Sequence, residues 1–174
     1  MLWWLKKLVK NPAVIGSVAP SGPSLAKLMT RDIPTHARVL ELGPGEGAIT
    51  QQILKKLSSP SQLELIEFDR DLGQICRTKF PGVAVHHGDV EDFLRDNDKR
   101  YDFIVSGIPF AAMDKAKRQR VFNLIRDHLA DDGSYVMFQY SVTTLGELKK
   151  IFRDVDTGFT PLNVPPAFVF TCKK

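Results

Sequence analysis

Apolar runs alternate with segments of helical periodicity from residue 37 to the end of the chain. Short apolar runs bounded by turn residues are typical of buried strands, and apolar positions spaced three and four apart indicate amphipathic helices. The pattern predicts strands at 38–42, 62–68, 83–87, 101–106 and 134–140 and helices at 47–57, 72–80, 90–95, 115–129 and 144–152. Two more strands, 155–162 and 167–172, follow directly on each other, which predicts an antiparallel hairpin.

This alternation of strands and helices is typical of an α/β domain with a mostly parallel central sheet, here of seven strands with a C-terminal antiparallel hairpin. At 174 residues the chain has room for one such domain and for no second substrate domain. Two helical pieces, 2–10 and 24–30, precede the sheet. We therefore divide the chain into an N-terminal helical region, 1–36, and an α/β domain, 37–174.

The first helical piece is amphipathic. On a helix its apolar positions fall within one arc of about 160°, and its lysines fall on the opposite side. The apolar residues are Leu2, Trp4, Leu5, Leu8 and Val9, and the lysines are Lys6, Lys7 and Lys10. Trp3 lies among the lysines. Residues 1–31 carry five basic residues and no acid, whereas the rest holds 19 basic and 20 acidic residues. Such a helix suits an anionic surface, either a membrane or a nucleic acid, or it packs on the domain or on a dimer mate.

Other classes of protein are disfavoured by composition. No apolar run approaches the roughly 20 residues that a transmembrane helix needs. Cys76 and Cys172 stand far apart and outside any cluster that would bind zinc, so we expect neither a disulfide framework nor a metal. A reducing cytoplasm is the expected compartment.

The stretch "VLELGPGEGAIT" places three glycines, Gly43, Gly45 and Gly47, between a strand and a helix. Glycines are needed where the backbone turns sharply and approaches a ligand at a helix N-terminus. With Ala48 the stretch also satisfies the dinucleotide-binding pattern G-x-G-x-x-G/A. The glycines alone therefore do not indicate whether the ligand is a dinucleotide or a smaller molecule.

Three acids after successive strands decide the question. Glu41 precedes the glycines and suits a cationic amine, Glu67 ends the second strand where a carboxylate binds ribose hydroxyls, and Asp89 follows the third strand near an adenine amine. Together they predict S-adenosylmethionine (SAM) as the cofactor, with S-adenosylhomocysteine as its product. Val90 and Ser106 complete the predicted cofactor contacts.

These motifs also carry a family resemblance. "VLELGPGEGAIT", "IEFDRDL" and "GDV" resemble motifs one to three of the Rossmann-like class I methyltransferases, and "EFDRDL" is similar to the rRNA adenine dimethyltransferases. Those enzymes carry an N-L-P-Y-type motif after strand four, where this chain has "VSGIPF". A closer resemblance is to the bacterial phospholipid N-methyltransferases, which methylate phosphatidylethanolamine; its motifs include "GSVAPSGPSLAKLM", "DFIVSGIPF" and "NVPPAFVF". This resemblance implies a membrane-associated enzyme with an amphipathic N-terminal helix.

The acceptor site is expected after strand four, bordered by Gly107, Ile108, Pro109 and Phe110. Methyl transfer to an amine is an in-line displacement that requires positioning and exclusion of water. Phe110 and Tyr140 could shield a methylated cation through their π faces; the alternative is that either ring belongs to the core. Tyr140 is also the candidate base, with simple packing as the alternative.

The sequence thus predicts a SAM-dependent N-methyltransferase that acts on the head-group amine of a membrane aminolipid, at the inner face of the cytoplasmic membrane. Its predicted membrane contacts are Leu2, Trp3, Trp4, Leu5, Lys6, Lys7 and Lys10. The alternative is an RNA or DNA adenine N-methyltransferase whose basic arm contacts phosphates. The head group, the number of methyl groups added, the base and the oligomeric state stay open.

Overall fold

The structure, a computed structural model, describes residues 22–161 and 163–174. Its strands form one seven-stranded sheet in the order β3-β2-β1-β4-β5-β7-β6. They are β1 (Val39–Leu42), β2 (Leu63–Glu67), β3 (Ala84–His87), β4 (Tyr101–Ser106), β5 (Leu129–Gln139), β6 (Asp154–Thr160) and β7 (Ala167–Lys173). β7 pairs antiparallel with both β5 and β6, whereas the other pairings are parallel. The predicted mostly parallel sheet with a C-terminal antiparallel hairpin is confirmed.

Six α-helices accompany the sheet in the part of the chain that the structure describes. They are α1 (Pro23–Met29), α2 (Ala48–Leu54), α3 (Arg70–Lys79), α4 (Val90–Arg95), α5 (Lys115–His128) and α6 (Leu145–Ile151). α3 begins earlier than predicted because the Asp69 side chain accepts hydrogen bonds from the amides of Asp71 and Leu72 and so caps the helix. β5 begins at Leu129 rather than at residue 134, because Leu129 pairs with Tyr101 ahead of a shift in register.

Helices cover both faces of the sheet. Leu25 and Met29 of α1, Ile53 of α2 and Cys76 of α3 belong to one buried cluster. On the other face, side chains from α4, α5 and α6 form a second cluster, which includes Leu94, Phe122, Ile125 and Leu148. β1 is buried at every position, which explains why its sequence is apolar apart from Glu41.

The topology brings four loops together at one edge of the sheet. From β1 the chain winds through β2 to β3 on one side, and β4 and β5 lie on the other side. The order therefore reverses between β1 and β4, and ligands of α/β sheets bind at such a switch point, outside the carboxyl ends of the strands. The loops that follow β1, β2, β3 and β4 all end there.

The predicted helix at 2–10, with its proposed membrane contacts, lies outside the described residues. The second predicted N-terminal helix is present as α1, and Pro23 occupies its first turn. Among the residues that the structure describes, no helix combines the length and the hydropathy needed to cross a membrane.

Candidate active site

The glycine turn links β1 to α2 and is held by the neighbouring strand. Gly43, Gly45 and Gly47 all have positive φ angles, of 69°, 58° and 83°. The Gly43 amide donates to the carbonyl oxygen of Ile66 at 2.9 Å. At Gly47 an added Cβ would collide with the ring of Phe80, so this glycine is required by conformation and by packing.

Glu67, at the end of β2, fixes two loops through its carboxylate. Oε2 accepts a hydrogen bond from the Gly45 amide at 3.0 Å, and Oε1 accepts one from the Asp69 amide at 3.0 Å. The side chain is largely buried, at 7% exposure. A carboxylate oxygen offers two lone pairs, so each oxygen keeps one for a further donor such as a ribose hydroxyl.

Asp89 follows β3 and has two partners. Its Oδ1 accepts from the Glu91 amide at 2.8 Å and caps α4, and its Oδ2 accepts from Nζ of Lys117 at 2.7 Å. Lys117 comes from α5, in the charged run that begins at Asp114. The adenine end of the predicted site is therefore joined to α5 by an ion pair that the sequence did not indicate.

Glu41 lies beneath the glycine turn and is fully buried. Oε2 accepts a hydrogen bond from the Thr50 hydroxyl at 2.7 Å, whereas Oε1 accepts none from the described residues. Burial, reinforced by the charge of Glu67, raises the pKa of Glu41 to about 8, against the opposing hydrogen bond from Thr50. The predicted contact of Glu41 with the cationic amine of the cofactor's methionine moiety stays a prediction.

Replacing Glu41 with glutamine is expected to remove a pH dependence of stability. The folded-state pKa of about 8 exceeds the ordinary value of 4.5, so the native state retains a proton that the unfolded chain loses. The free energy of unfolding of the wild type should therefore fall as the pH rises from about 4.5 through about 8. Urea unfolding measures the free energy of unfolding of both proteins at pH 6 and at pH 9. The value for Glu41→Gln minus that for the wild type should rise by a few kcal/mol between the two pH values, since each pKa unit is worth about 1.4 kcal/mol. Equal differences at both pH values would contradict the assignment.

A cavity of about 460 Å³ opens at the switch point. Its size suits a nucleoside-sized ligand. Its lining includes the predicted residues Gly43, Gly45, Glu67, Asp89, Val90, Gly107, Ile108 and Pro109. Glu41, Gly47 and Ser106 are not among the lining residues: Glu41 and Ser106 are fully buried, and Gly47 packs against Phe80.

The cavity also has apolar walls that the sequence analysis missed, formed by Ile66, Phe68, Leu72 and Met113. Phe68 is 74% exposed although it is a large aromatic residue. An exposed ring at a cavity mouth can pack against a flat nucleobase. Its position directly after the acid that ends β2 is the signal that could have identified it.

The acceptor loop, residues 107–113, follows β4 and forms one lip of the cavity. An added Cβ at Gly107 would lie 2.7 Å from the carbonyl oxygen of Gly43. The backbone of the loop therefore packs directly against the backbone of the glycine turn. Phe110 is fully buried, and its ring centroid lies 4.7 Å from that of Phe122 on α5. This corrects the prediction that Phe110 shields an acceptor cation, because the ring is enclosed in the core.

Two side chains that the sequence analysis did not single out hold the acceptor loop. Gln139 ends β5, and its Nε2 donates to the Ile108 carbonyl at 3.0 Å while its Oε1 accepts from the Ala111 amide at 3.2 Å. Arg118 donates to the carbonyls of Phe110 and Met113 and forms an ion pair of 2.6 Å with Glu147. The loop is therefore fixed by contacts from β5 and α5.

Gln139→Glu is expected to lower methyl transfer about tenfold or more at pH 8. The introduced carboxylate cannot donate to the carbonyls of Ile108 and Phe138 that Gln139 contacts at 3.0 and 2.7 Å, and unsatisfied buried groups cost about 1–3 kcal/mol. When the carboxyl is protonated it can donate again, so the ratio of variant to wild-type rate should rise as the pH falls towards 6. The matched control is Gln74→Glu on the exposed side of α3. A ratio that does not change with pH would show that Gln139 acts by packing alone.

Tyr140 is not among the residues that line the cavity. It packs against the cluster that contains Phe138, whose ring it meets edge-on with centroids 5.7 Å apart. Burial raises the pKa of its hydroxyl, which disfavours the ionised form that a base requires. Packing, the alternative, agrees with this position, and the role of Tyr140 as a base stays a prediction that its burial disfavours.

A second groove of about 600 Å³ lies along β3 and shares Ile66, Gly88 and Asp89 with the cavity. Its acids include Glu64, which contacts His86 at 3.0 Å and Lys99 at 2.8 Å. Within residues 22–161 and 163–174, no group of three or more His, Cys, Asp or Glu side chains is arranged to hold a metal ion.

Comparison with known proteins agrees with the geometry. A family model described as a methyltransferase domain matches residues 39–133. The chain is 31% identical to an ornithine lipid N-methyltransferase of Singulisphaera acidiphila, over 98% of this chain and 94% of that protein. It is 42% identical to a ribosomal RNA small subunit methyltransferase A of a Synechococcus species, over 45% of this chain and 30% of that protein.

The fold is shared with solved methyltransferases. The N-methyltransferase NodS of Bradyrhizobium japonicum, in complex with S-adenosylhomocysteine, has a TM-score of 0.68 at 14% identity, over 97% of this chain and 90% of that chain. The glycine turn, the carboxylate of Glu67 and the apolar ring of Phe68 suit the same class of ligand. The chain belongs to the class I SAM-dependent methyltransferases.

Proposed function

We propose that this enzyme methylates the primary amine of a membrane aminolipid head group, at the inner face of the cytoplasmic membrane. The observation that carries the proposal is the nearly end-to-end similarity to an ornithine lipid N-methyltransferase, which covers 98% of this chain. Phosphatidylethanolamine, the substrate of the family that the sequence motifs resemble, and ornithine lipid both present a primary amine. The proposed substrate class is therefore a membrane lipid whose head group carries a primary amine.

The cavity supports this chemistry by dividing into two sides. Glu67, Phe68 and Asp89 lie on the side of β2 and β3, where they would hold the ribose and the adenine of SAM. Ile108 and Pro109 lie on the side of β4, where the acceptor amine would enter. When bound, SAM supplies a methyl group made electrophilic by its sulfonium. The enzyme then has to align the amine with it and exclude water.

The lip around the acceptor side of the cavity is apolar. This environment affects the pKa of the acceptor amine, which must lose a proton before it can attack. The lining residues there are Gly107, Ile108, Pro109 and Met113. An alkyl ammonium has a pKa of about 10.4 in water, and an apolar environment lowers the pKa of such a cation. The lip therefore favours the neutral amine that can attack the methyl group, without a dedicated base.

The decisive experiment offers labelled SAM and the purified enzyme with total lipid extract and, separately, with total RNA. Label is expected in the lipid fraction, with a mass increase of the head group in steps of one methyl. Vesicles that contain phosphatidylethanolamine and vesicles that contain ornithine lipid then identify the head group. Label confined to RNA would overturn the proposal.

A nucleic-acid amine is the alternative, supported by the 42% identity to a ribosomal RNA methyltransferase over 45% of this chain. Enzymes that modify a base extrude it and stack it against aromatic or apolar side chains. The aromatic residue of the acceptor loop, Phe110, is fully buried and offers no aromatic face for such stacking. The lipid substrate is preferred because the similarity to the lipid enzyme covers 98% of this chain, against 45% for the ribosomal RNA enzyme.

Membrane recruitment is proposed to depend on the N-terminal residues Trp3, Trp4, Lys6, Lys7 and Lys10. Each lysine near an anionic leaflet contributes about 1 kcal/mol, and tryptophan favours the interface. The variant with Trp3 and Trp4 both replaced by alanine should sediment less with anionic vesicles and keep its affinity for SAM. Unchanged sedimentation would contradict the proposed role of the N-terminal residues in membrane recruitment.

A further inference from the structure

The charged run at the start of α5 forms two ion pairs with the start of α4. Nζ of Lys117 lies 2.7 Å from Oδ2 of Asp89, and Nε of Arg120 lies 2.7 Å from Oε1 of Glu91. Lys117 and Arg120 are three positions apart, so they lie on the same side of the helix. Asp89 is the N-cap of α4 and lines the cavity, whereas Glu91, in the first turn of α4, is not among the lining residues. Of these two ion pairs, the one with Lys117 therefore involves a residue of the predicted cofactor site.

Lys117 is held by its backbone as well as by its side chain. The Asp114 side chain accepts a hydrogen bond from the Lys117 amide at 3.0 Å and so caps α5. The side chains of Lys117 and Asp89 are 34% and 25% exposed, so this ion pair is screened less than a pair on an open surface. Lys117 is not among the residues that line the cavity. Any influence of Lys117 on a bound ligand is therefore expected to pass through Asp89.

Two donors set the orientation of the Asp89 carboxylate. Oδ1 accepts from the Glu91 amide at 2.8 Å, and Oδ2 accepts from Nζ of Lys117 at 2.7 Å. Because the two donors bind different oxygens, the carboxylate cannot turn without losing one of these hydrogen bonds. An ionised carboxylate only accepts hydrogen bonds, and each of its oxygens keeps a lone pair for one further donor. A ligand group that faces Asp89 in the cavity must therefore be a donor.

We propose that Lys117 is a positioning residue that, by fixing the Asp89 carboxylate, makes the cavity selective for adenine over hypoxanthine. The exocyclic amine of adenine can donate to the fixed carboxylate, whereas hypoxanthine has a carbonyl there and would place two acceptor oxygens against each other. Without Lys117 the carboxylate keeps one donor and can turn away from that carbonyl, so the penalty for the wrong base falls. Specificity of this kind is a difference between two affinities. The inference rests on SAM as the cofactor and on the predicted contact of Asp89 with adenine, and it is independent of the methyl acceptor.

The test measures two dissociation constants by isothermal titration, that of S-adenosylhomocysteine and that of its analogue with hypoxanthine in place of adenine. The wild type should bind the adenine compound about 100-fold more tightly, because hydrogen bonds to a charged group are strong and an unmatched acceptor is costly. Lys117→Met, which keeps the length of the side chain and removes the donor, should lower this ratio about tenfold. Thermal unfolding of each variant shows that the compared proteins are folded.

Arg120→Met is the matched control because it removes the neighbouring ion pair, also of 2.7 Å, between α5 and the start of α4 and leaves the partners of Asp89 in place. It should keep the ratio of the two dissociation constants within about twofold of the wild type. An equal fall in both variants would show that Lys117 merely holds α4 against α5, and would overturn the inference. So would an unchanged ratio in Lys117→Met, or a wild type that binds both compounds equally well. These titrations contain no methyl acceptor, so a failure of the proposed lipid function would appear only in the labelling experiment.

Discussion

Glu67→Ala is expected to weaken the binding of SAM by about 100-fold or more. The carboxylate bridges the amides of Gly45 and Asp69 at 3.0 Å each, and its remaining lone pairs are the proposed acceptors for the two ribose hydroxyls. Hydrogen bonds to a charged group are worth about 1.5–3 kcal/mol each, and the glycine turn also loses its support. Isothermal titration with S-adenosylhomocysteine measures the change.

The control for this prediction lies on the same strand. Glu64 contacts His86 and Lys99, lines the second groove and does not line the cavity. Glu64→Gln should change the affinity for the cofactor by less than twofold. A Glu67→Ala protein that binds the cofactor as tightly as this control would refute the placement of the ribose.

Gly107→Ala is expected to lower kcat/KM for methyl transfer by about 100-fold. The new methyl group would lie 2.7 Å from the carbonyl oxygen of Gly43, and two backbones, unlike two side chains, cannot relax independently. The acceptor loop and the glycine turn must therefore move apart by a large part of an ångström. A misplacement of about 1 Å in an active site can cost 100-fold in rate.

The comparison protein for Gly107→Ala is Gly146→Ala. Gly146 lies in α6, and an added Cβ there meets no described atom within 4 Å. Alanine is favoured over glycine in a helix by about 1 kcal/mol, so this variant should be slightly more stable and fully active. Thermal unfolding and initial rates of both variants, measured together, separate a local displacement from a general loss of fold. Wild-type activity of Gly107→Ala would show that the loop tolerates the shift.

The strands of the sheet could be predicted because strands that are buried on both faces consist mainly of consecutive apolar residues. β1 is buried at every position and is apolar apart from Glu41, and β4 is apolar apart from half-buried Asp102 and its last residue, Ser106. Boundaries set by single side chains were less accurate. α3 begins at Arg70 because Asp69 caps it, and β5 begins at Leu129 because a register shift lets it pair with Tyr101.

The candidate site was predictable where residues follow strands closely, as Gly43, Glu67 and Asp89 do. It was not predictable where a side chain's direction depends on neighbours distant in sequence. Phe110 was expected on the cavity, but its ring packs against Phe122 on α5. Gln139, which ends the strand beside the acceptor loop, went unrecognised because its partners Ile108 and Ala111 lie about 30 residues away.

The sequence by itself determined the order of strands and helices, the glycine turn and the acids at the carboxyl ends of β1, β2 and β3, because periodicity and strand-end position are local properties of the chain. Only the tertiary structure decided that Glu41 is buried with a raised pKa, that Asp89 pairs with Lys117, and that Gln139 holds the acceptor loop. These properties depend on which segments pack together, and desolvation and charge pairing arise only when they meet.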